Sequence, residues 1–120
     1  MSNIFYSNLK KQFEFNPEPI IKVEIGQHTE LNCVAPQGMP PPRVYWLRGG
    51  QVLQSDSSVL VTTEGHLLIG QARTQDTGNY TCVAENIAAK RTAPTSQLIV
   101  FGKYSSSFFI IWIKHQHKVQ

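Results

Sequence analysis

Two cysteines, a tryptophan and a tyrosine constrain the fold of this chain more than any other feature. Cys33 and Cys82 are 49 residues apart, and each lies in the middle of a predicted strand, on its apolar face. Trp46 follows Cys33 by 13 residues, and Tyr80 precedes Cys82 by two, so Tyr80 and Cys82 share one face of their strand. This spacing predicts two sheets that face each other, joined by a Cys33–Cys82 bridge on which Trp46 packs. The alternative is a pair of buried free thiols in an intracellular protein.

Short apolar segments separated by turn-forming residues predict an all-β chain. Glycine and proline recur so often between residues 17 and 78 that few windows are long enough for a helix. Several segments alternate between apolar and polar residues, which is typical of antiparallel sheets with one buried face. We predict strands over 20–25, 30–35, 43–48, 51–53, 58–63, 66–71, 79–86 and 91–101, and one helical turn near 73–77.

The length of 120 residues fits one domain, which we place at residues 17–102. Residues 1–16 form a predicted N-terminal tail, and residues 103–120 form a C-terminal tail outside the domain. The apolar run 108–113 in that tail is either foreign to the fold or an additional edge strand. The formal charge of +3 belongs to the tails, because residues 18–101 carry six Lys/Arg and seven Asp/Glu. We therefore expect no nucleic-acid binding.

The corner before the second cysteine carries a clear family resemblance. The string Asp76-x-Gly78-x-Tyr80-x-Cys82, with the cysteine–tryptophan–cysteine spacing, resembles the immunoglobulin domain. The span between Trp46 and Cys82 is too short for the extra hairpin of a variable-type domain, so the I-set is the closer subclass. The resemblance implies a Greek-key β-sandwich of two antiparallel sheets with irregular tails, in which Gly78 permits the close turn. It implies a core signature of Trp46, Leu68, Asp76, Gly78 and Tyr80.

Three longer strings, residues 36–47, 64–73 and 76–91, are similar to the second immunoglobulin domain of the repulsive netrin receptors, the uncoordinated-five family. This resemblance implies an extracellular or cell-surface module of a single-pass membrane receptor, active in axon guidance, cell adhesion and cell–cell signalling, with a netrin-like protein ligand. The chain has no apolar run of about 20 residues and no visible signal peptide. We therefore expect a fragment or truncated product that does not itself insert into a membrane.

A second interpretation is an intracellular structural immunoglobulin domain of a cytoskeletal or muscle-type protein. The lack of a visible signal peptide favours it, whereas the cysteine pair and the netrin-receptor-like strings oppose it. A glycosylation sequon, Asn79-Tyr80-Thr81, also opposes it, because Asn79 is predicted to face outward, opposite Tyr80 and Cys82. The alternative for Asn79 is that these residues only repeat the strand consensus of the fold.

Four basic residues flank the third predicted strand or lie at the hairpin predicted after Cys82, and they could form a partner-binding patch for an acidic protein or a sulfated glycan. They are Arg43, Arg48, Lys90 and Arg91. The alternative is dispersed, solvated charge that Glu85 partly cancels.

The sequence offers no basis for catalysis, a metal site or a cofactor. It has no nucleophile elbow, no phosphate-binding glycine loop and no HExxH motif, and its cysteines are committed to the core. His115 and His117 could share one face of a strand, but no further metal ligand accompanies them. We therefore predict a binding module that is not an enzyme and holds no cofactor or metal.

Overall fold

Two β-sheets pack face to face in the computed structural model, which describes residues 6–102. Within these residues the strands are β1 (Asn8–Leu9), β2 (Ile20–Glu24), β3 (Thr29–Leu31), β4 (Gly38–Met39), β5 (Arg43–Arg48), β6 (Gln51–Val52), β7 (Val59–Val61), β8 (Leu67–Ile69), β9 (Gly78–Glu85), β10 (Lys90–Thr92) and β11 (Ser96–Phe101).

The larger sheet has six strands, in the order β2, β11, β9, β5, β6, with β10 also paired to β9. The smaller sheet has three strands, in the order β3, β8, β7, and a separate two-stranded sheet joins β1 to β4. Pairing is antiparallel throughout the named strands except between β2 and β11, which run parallel. The predicted all-β sandwich is confirmed, with this one parallel pair as the departure from purely antiparallel sheets.

Two of the predicted strands differ from the observed ones for local reasons. The segment predicted over 91–101 is divided into β10 and β11, because Pro94 between them has no N–H to donate to a ladder. The segment predicted over 30–35 stops at Leu31 as a regular strand. Beyond it, the Cys33 amide donates to Nδ1 of His66 at 3.1 Å, and only Val34 pairs again, with Phe15.

The core lies between the sheets and is built around the predicted bridge. Cys33 and Cys82 are joined and fully buried, and Trp46 beside them is 1% exposed. The Trp46 indole donates its hydrogen bond to the Gly65 carbonyl at 2.8 Å, so its polar atom is satisfied inside the core. Leu68 departs from the predicted core signature: it is half-buried, because alternation along β8 turns its two neighbours inward instead. Those neighbours are Leu67 and Ile69.

A short 3₁₀ turn, Thr74–Asp76, lies inside the predicted helical turn and positions the corner before β9. The Tyr80 hydroxyl donates to the Asp76 carbonyl at 2.5 Å, and burial raises the pKa of Tyr80, which keeps the donor protonated. Gly78 does not supply the conformational freedom predicted for it, since it has no left-handed φ. A Cβ at Gly78 would meet the Arg48 side chain at 3.4 Å, an ordinary contact, so the corner is fixed by Asp76 and Tyr80.

The segment before β2 is more ordered than the sequence indicates. Sequence patterns predict an irregular tail over residues 1–16, but β1 pairs with β4 and Phe15 bridges to Val34. The domain boundaries at 17 and 102 stay predictions, and the predicted C-terminal tail, with His115 and His117, lies outside the described residues. Within residues 6–102 the structure contains no helix long and apolar enough to cross a membrane.

Candidate interaction surface

The outer face of the larger sheet carries an apolar stripe at its exposed edge. Along β5, Trp46 points inward, so its neighbours Tyr45 and Leu47 point outward, where both are half-buried. Val52 of β6 pairs with Leu47 and is 56% exposed. These three residues, the outer stripe, present aliphatic and aromatic surface on a rigid, disulfide-anchored sheet, the kind of surface that protein partners bury.

One end of the outer stripe is held by a polar cluster around Glu85. Arg43 forms an ion pair with Glu85 at 3.3 Å, and the Tyr45 hydroxyl donates to the same carboxylate at 3.2 Å. The Arg43 guanidinium also lies over the Tyr45 ring, 4.6 Å from its centroid. Each of these three side chains therefore contacts the other two, and together they form one polar cluster at this end of the face.

The structure divides the four predicted patch residues instead of bringing them together. Arg43 and Lys90 flank Glu85, because Glu85 pairs with Arg43 on one side and with Lys90 on the other. Arg48 lies at the opposite end of β5, where its guanidinium donates to two backbone carbonyls of the corner and lies 5.6 Å from the Tyr80 ring centroid. A patch that includes Arg48 is therefore not formed.

Arg91 is also removed from the predicted patch by the register of its strand. It pairs with Ala84, a buried residue on the inner face, so its side chain cannot lie beside Lys90 on the outer face. Its guanidinium instead donates to the carbonyl of Leu9 at 2.8 Å and to that of Lys10 at 3.3 Å. Of the four predicted residues, only Arg43 and Lys90 share a surface, with Glu85 between them.

Asn79 lies on the same outer face, near the far end of the outer stripe. Its side chain is exposed, as a glycan requires, and it pairs with Gln97. Thr81, the hydroxyl residue of the sequon, hydrogen-bonds Thr95 at 2.8 Å and pairs with Leu47. Glycosylation of Asn79 stays a prediction, and a glycan there would stand at the rim of the stripe without covering its centre.

A shallow pocket of about 420 Å³ opens next to the Glu85 cluster, between the proline-rich loop after β4 and the hairpin after β9. Ile87 at the hairpin tip is 67% exposed and borders it. Neither Ile87 nor the outer stripe is among the candidates predicted from the sequence. The alternation of residues 43–48 around an inward Trp46 is the signal that identifies Tyr45 and Leu47, whereas nothing local identifies Ile87.

The remaining charged cluster serves the fold. Arg73 donates to Asp76 at 2.9 Å and to Asp56 at 3.2 Å, and Asp76 is 1% exposed. The backbone N–H of Ser58 and the side chain of Arg73 both donate hydrogen bonds to Asp56, and these bonds hold the pKa of its carboxyl below the usual range. Among residues 6–102, no three His, Cys, Asp or Glu side chains are grouped closely enough to hold a metal ion.

Comparison with protein families gives one match, which covers most of the chain. The model of the immunoglobulin I-set domain matches residues 11–100. The matched range contains the bridge, Trp46, the corner around Asp76 and Tyr80, and every residue of the outer stripe.

Solved structures with the same fold include both titin and cell-surface receptors. A chain in the crystal structure of a titin and obscurin-like 1 complex is 32% identical, with a TM-score of 0.71, over 80% of this chain and 96% of that one. The Drosophila receptor protein tyrosine phosphatase DLAR is 28% identical, with a TM-score of 0.66, over 74% and 44%. Sidekick-1 is 33% identical, with a TM-score of 0.67, over 80% and 20%. The chain thus spans nearly all of the first of these chains and less than half of the other two.

Proposed function

The chain belongs to the immunoglobulin I-set family, and from this we propose that it is a protein-recognition module on the extracellular side of a cell-surface receptor. The observation that carries the proposal is the buried Cys33–Cys82 bridge, because disulfides persist in oxidising compartments and are rare in the cytosol. Cell-surface proteins such as DLAR and Sidekick-1 share the fold. The family is generally non-enzymatic, so the function of the chain rests on binding.

The outer stripe is the proposed binding surface. It joins exposed apolar area at Val52 to a polar rim of Arg43, Tyr45 and Glu85. Interfaces commonly combine an apolar centre with a polar, hydrogen-bonded rim, and aromatic and arginine residues are enriched among those that dominate the binding energy. A protein ligand that places an apolar side chain on Leu47 and Val52 and an acidic group near Arg43 fits this surface.

The finer assignment, to a receptor of the netrin-binding type that acts in axon guidance, rests on the sequence strings alone. Those strings are residues 36–47, 64–73 and 76–91. Netrin is therefore the first ligand to test, ahead of a sulfated glycan, because Arg48 and Arg91 are engaged by backbone carbonyls and only Arg43 and Lys90 share the outer face.

A second candidate function is an intracellular structural domain of the muscle type. The titin and obscurin-like 1 relative favours it, since the match covers nearly all of that chain at 32% identity. The two candidates differ in the state of Cys33 and Cys82, because an intracellular protein keeps thiols reduced. They differ also in the expected state of Asn79, because N-glycosylation takes place only in the secretory pathway and an intracellular domain would carry no glycan there.

Val52→Glu is expected to weaken binding to recombinant netrin at least about tenfold, because it places an uncompensated carboxylate on the most exposed residue of the outer stripe. Leu60→Glu is the matched control: Leu60 is 47% exposed on β7, in the opposite sheet, so its replacement should leave affinity unchanged. Surface plasmon resonance on both variants measures the difference. Equal affinity of Val52→Glu and wild type would remove the outer stripe as the binding surface, and absent binding of wild type would remove netrin as its ligand.

Expression through a eukaryotic secretory pathway is expected to yield a chain with one N-linked glycan, at Asn79. Peptide N-glycosidase should lower the mass of wild type and leave the mass of Asn79→Gln unchanged. Thr81→Ser is the matched control, because it keeps both the sequon and a hydroxyl for Thr95. A wild-type mass that does not respond to the enzyme would contradict the glycosylation prediction.

A further inference from the structure

Residues 8–10, the second part of the N-terminal segment 6–10, lie in a slot on the domain that is formed by β4 and the hairpin between β9 and β10. Asn8 and Leu9 pair with Met39 and Gly38, and the Asn8 side chain accepts the Met39 amide at 3.1 Å. The Lys10 amide donates to the Gln37 carbonyl at 2.9 Å. These contacts run along the backbone of an extended peptide, as in strand addition to a sheet edge.

Two side chains of the slot bind the backbone carbonyls of this segment. The Asn86 amide group donates to the Asn8 carbonyl at 2.7 Å, and Arg91 donates to the next two carbonyls, as described above. Asn86 is held in place because it also donates to the Pro40 carbonyl at 2.9 Å. The slot therefore recognises three successive carbonyl groups, which any copy of the segment supplies.

Leu9 is the apolar anchor of the segment, and it is 5% exposed. It does not belong to the main hydrophobic cluster around Trp46, whereas Phe13, four residues later, packs against that cluster. Lys11 and Gln12, between the two, are exposed and form a bend. Residues 6–10 can therefore leave the slot by rotation at Lys11 and Gln12 without opening the core.

Gly38 makes the slot possible. A Cβ at this position would lie 2.7 Å from the Asn8 carbonyl oxygen and 2.8 Å from the Leu9 side chain, distances that real Cβ atoms do not adopt. Gly38 has no left-handed φ, so the rest of the loop accepts alanine. Gly38→Ala therefore closes the slot to the segment while the backbone of the domain is left in an ordinary conformation.

We propose that residues 6–10 form an exchangeable strand, and that the slot accepts the same segment from a second copy of the chain to close a symmetric dimer. The second copy supplies the identical sequence, so each carbonyl bond, each strand pair and the Leu9 contact is made again across the dimer. The segment makes the same number of contacts in its own slot as in the slot of a second copy. The equilibrium between monomer and dimer is therefore set by protein concentration and by the cost of straightening the two-residue bend. Exchange of identical elements is a low-cost route to dimers.

The test mixes two full-length variants that each lack one half of the exchange. Leu9→Asp keeps an open slot but has a segment that cannot enter it, whereas Gly38→Ala has a free, intact segment but a closed slot. We expect each variant alone to be monomeric by sedimentation velocity, and the mixture to form a one-to-one heterodimer. Gly70→Ala is the matched glycine control: a Cβ at Gly70 meets only the Ser58 carbonyl at 3.8 Å, so this variant should associate as wild type does.

A labelled peptide of residues 6–12 keeps the test decisive if one variant folds poorly. It should bind the Leu9→Asp chain with saturation, and the same peptide with Leu9→Asp should not. A mixture that stays monomeric, with no peptide binding, would overturn the proposal and leave the segment as an intramolecular clamp. Peptide binding without a heterodimer would overturn the second copy as the occupant and point to another extended peptide.

Discussion

Replacement of both Cys33 and Cys82 by alanine is expected to lower the free energy of unfolding by about 4 kcal/mol. The bridge closes a loop across a sequence separation of 49 residues, and the chain-entropy estimate for a loop of this length gives that magnitude. The free energy of unfolding of native domains is only about 5–15 kcal/mol, so this loss is a large part of the total stability of a small domain. The melting temperature, followed by circular dichroism, should fall by at least about 10 °C.

A strong reductant provides the control for this prediction. It should reproduce the loss in wild type and leave the double-alanine variant unchanged, since that variant has no bridge to break. If wild type melts at the same temperature with and without reductant, Cys33 and Cys82 contribute no covalent link to the folded chain, and the extracellular assignment loses the observation that carries it.

Trp46→Ala is expected to cost about 3–5 kcal/mol, the range typical of large aromatic residues removed from a packed core. Trp46 is 1% exposed between the two sheets, and its removal leaves a cavity against the bridge while the Gly65 carbonyl loses its donor. Urea denaturation measures the change in unfolding free energy. Trp46→Phe is the control: it keeps most of the volume and loses the N–H, so it should cost clearly less. Equal losses in the two variants would place the contribution of Trp46 in its hydrogen bond and not in packing.

The core and most of the strand positions could be predicted because their signals are local and repeat every two residues. Cys33, Tyr80 and Cys82 each lie within an alternating segment whose buried face the pattern defines, and Trp46 was placed by its spacing of 13 residues from Cys33. Leu68 was misplaced because its neighbours on both sides are also apolar, so β8 shows no alternation from which an inward face could be chosen.

The candidate surface was harder to predict, because it depends on register between strands and not on spacing along one strand. Lys90 and Arg91 were predicted at a hairpin, but both lie in β10, where adjacent side chains face opposite sides of the sheet and the pairing with Glu85 and Ala84 decides which side each one takes. Arg91 binds a segment more than 80 residues away in the sequence, and that segment begins with a two-residue strand too short to show a period. No property of the local sequence could have joined the two.

The measurement that tests the account most directly is the intact mass of the chain, isolated from its natural source, before and after alkylation of thiols under denaturing, non-reducing conditions. An extracellular recognition module predicts no alkylation at Cys33 and Cys82 until a reductant is added, and a further mass at Asn79 that peptide N-glycosidase removes. Two alkylated cysteines without reductant, together with no glycan mass, would contradict the account and establish the intracellular structural domain in its place.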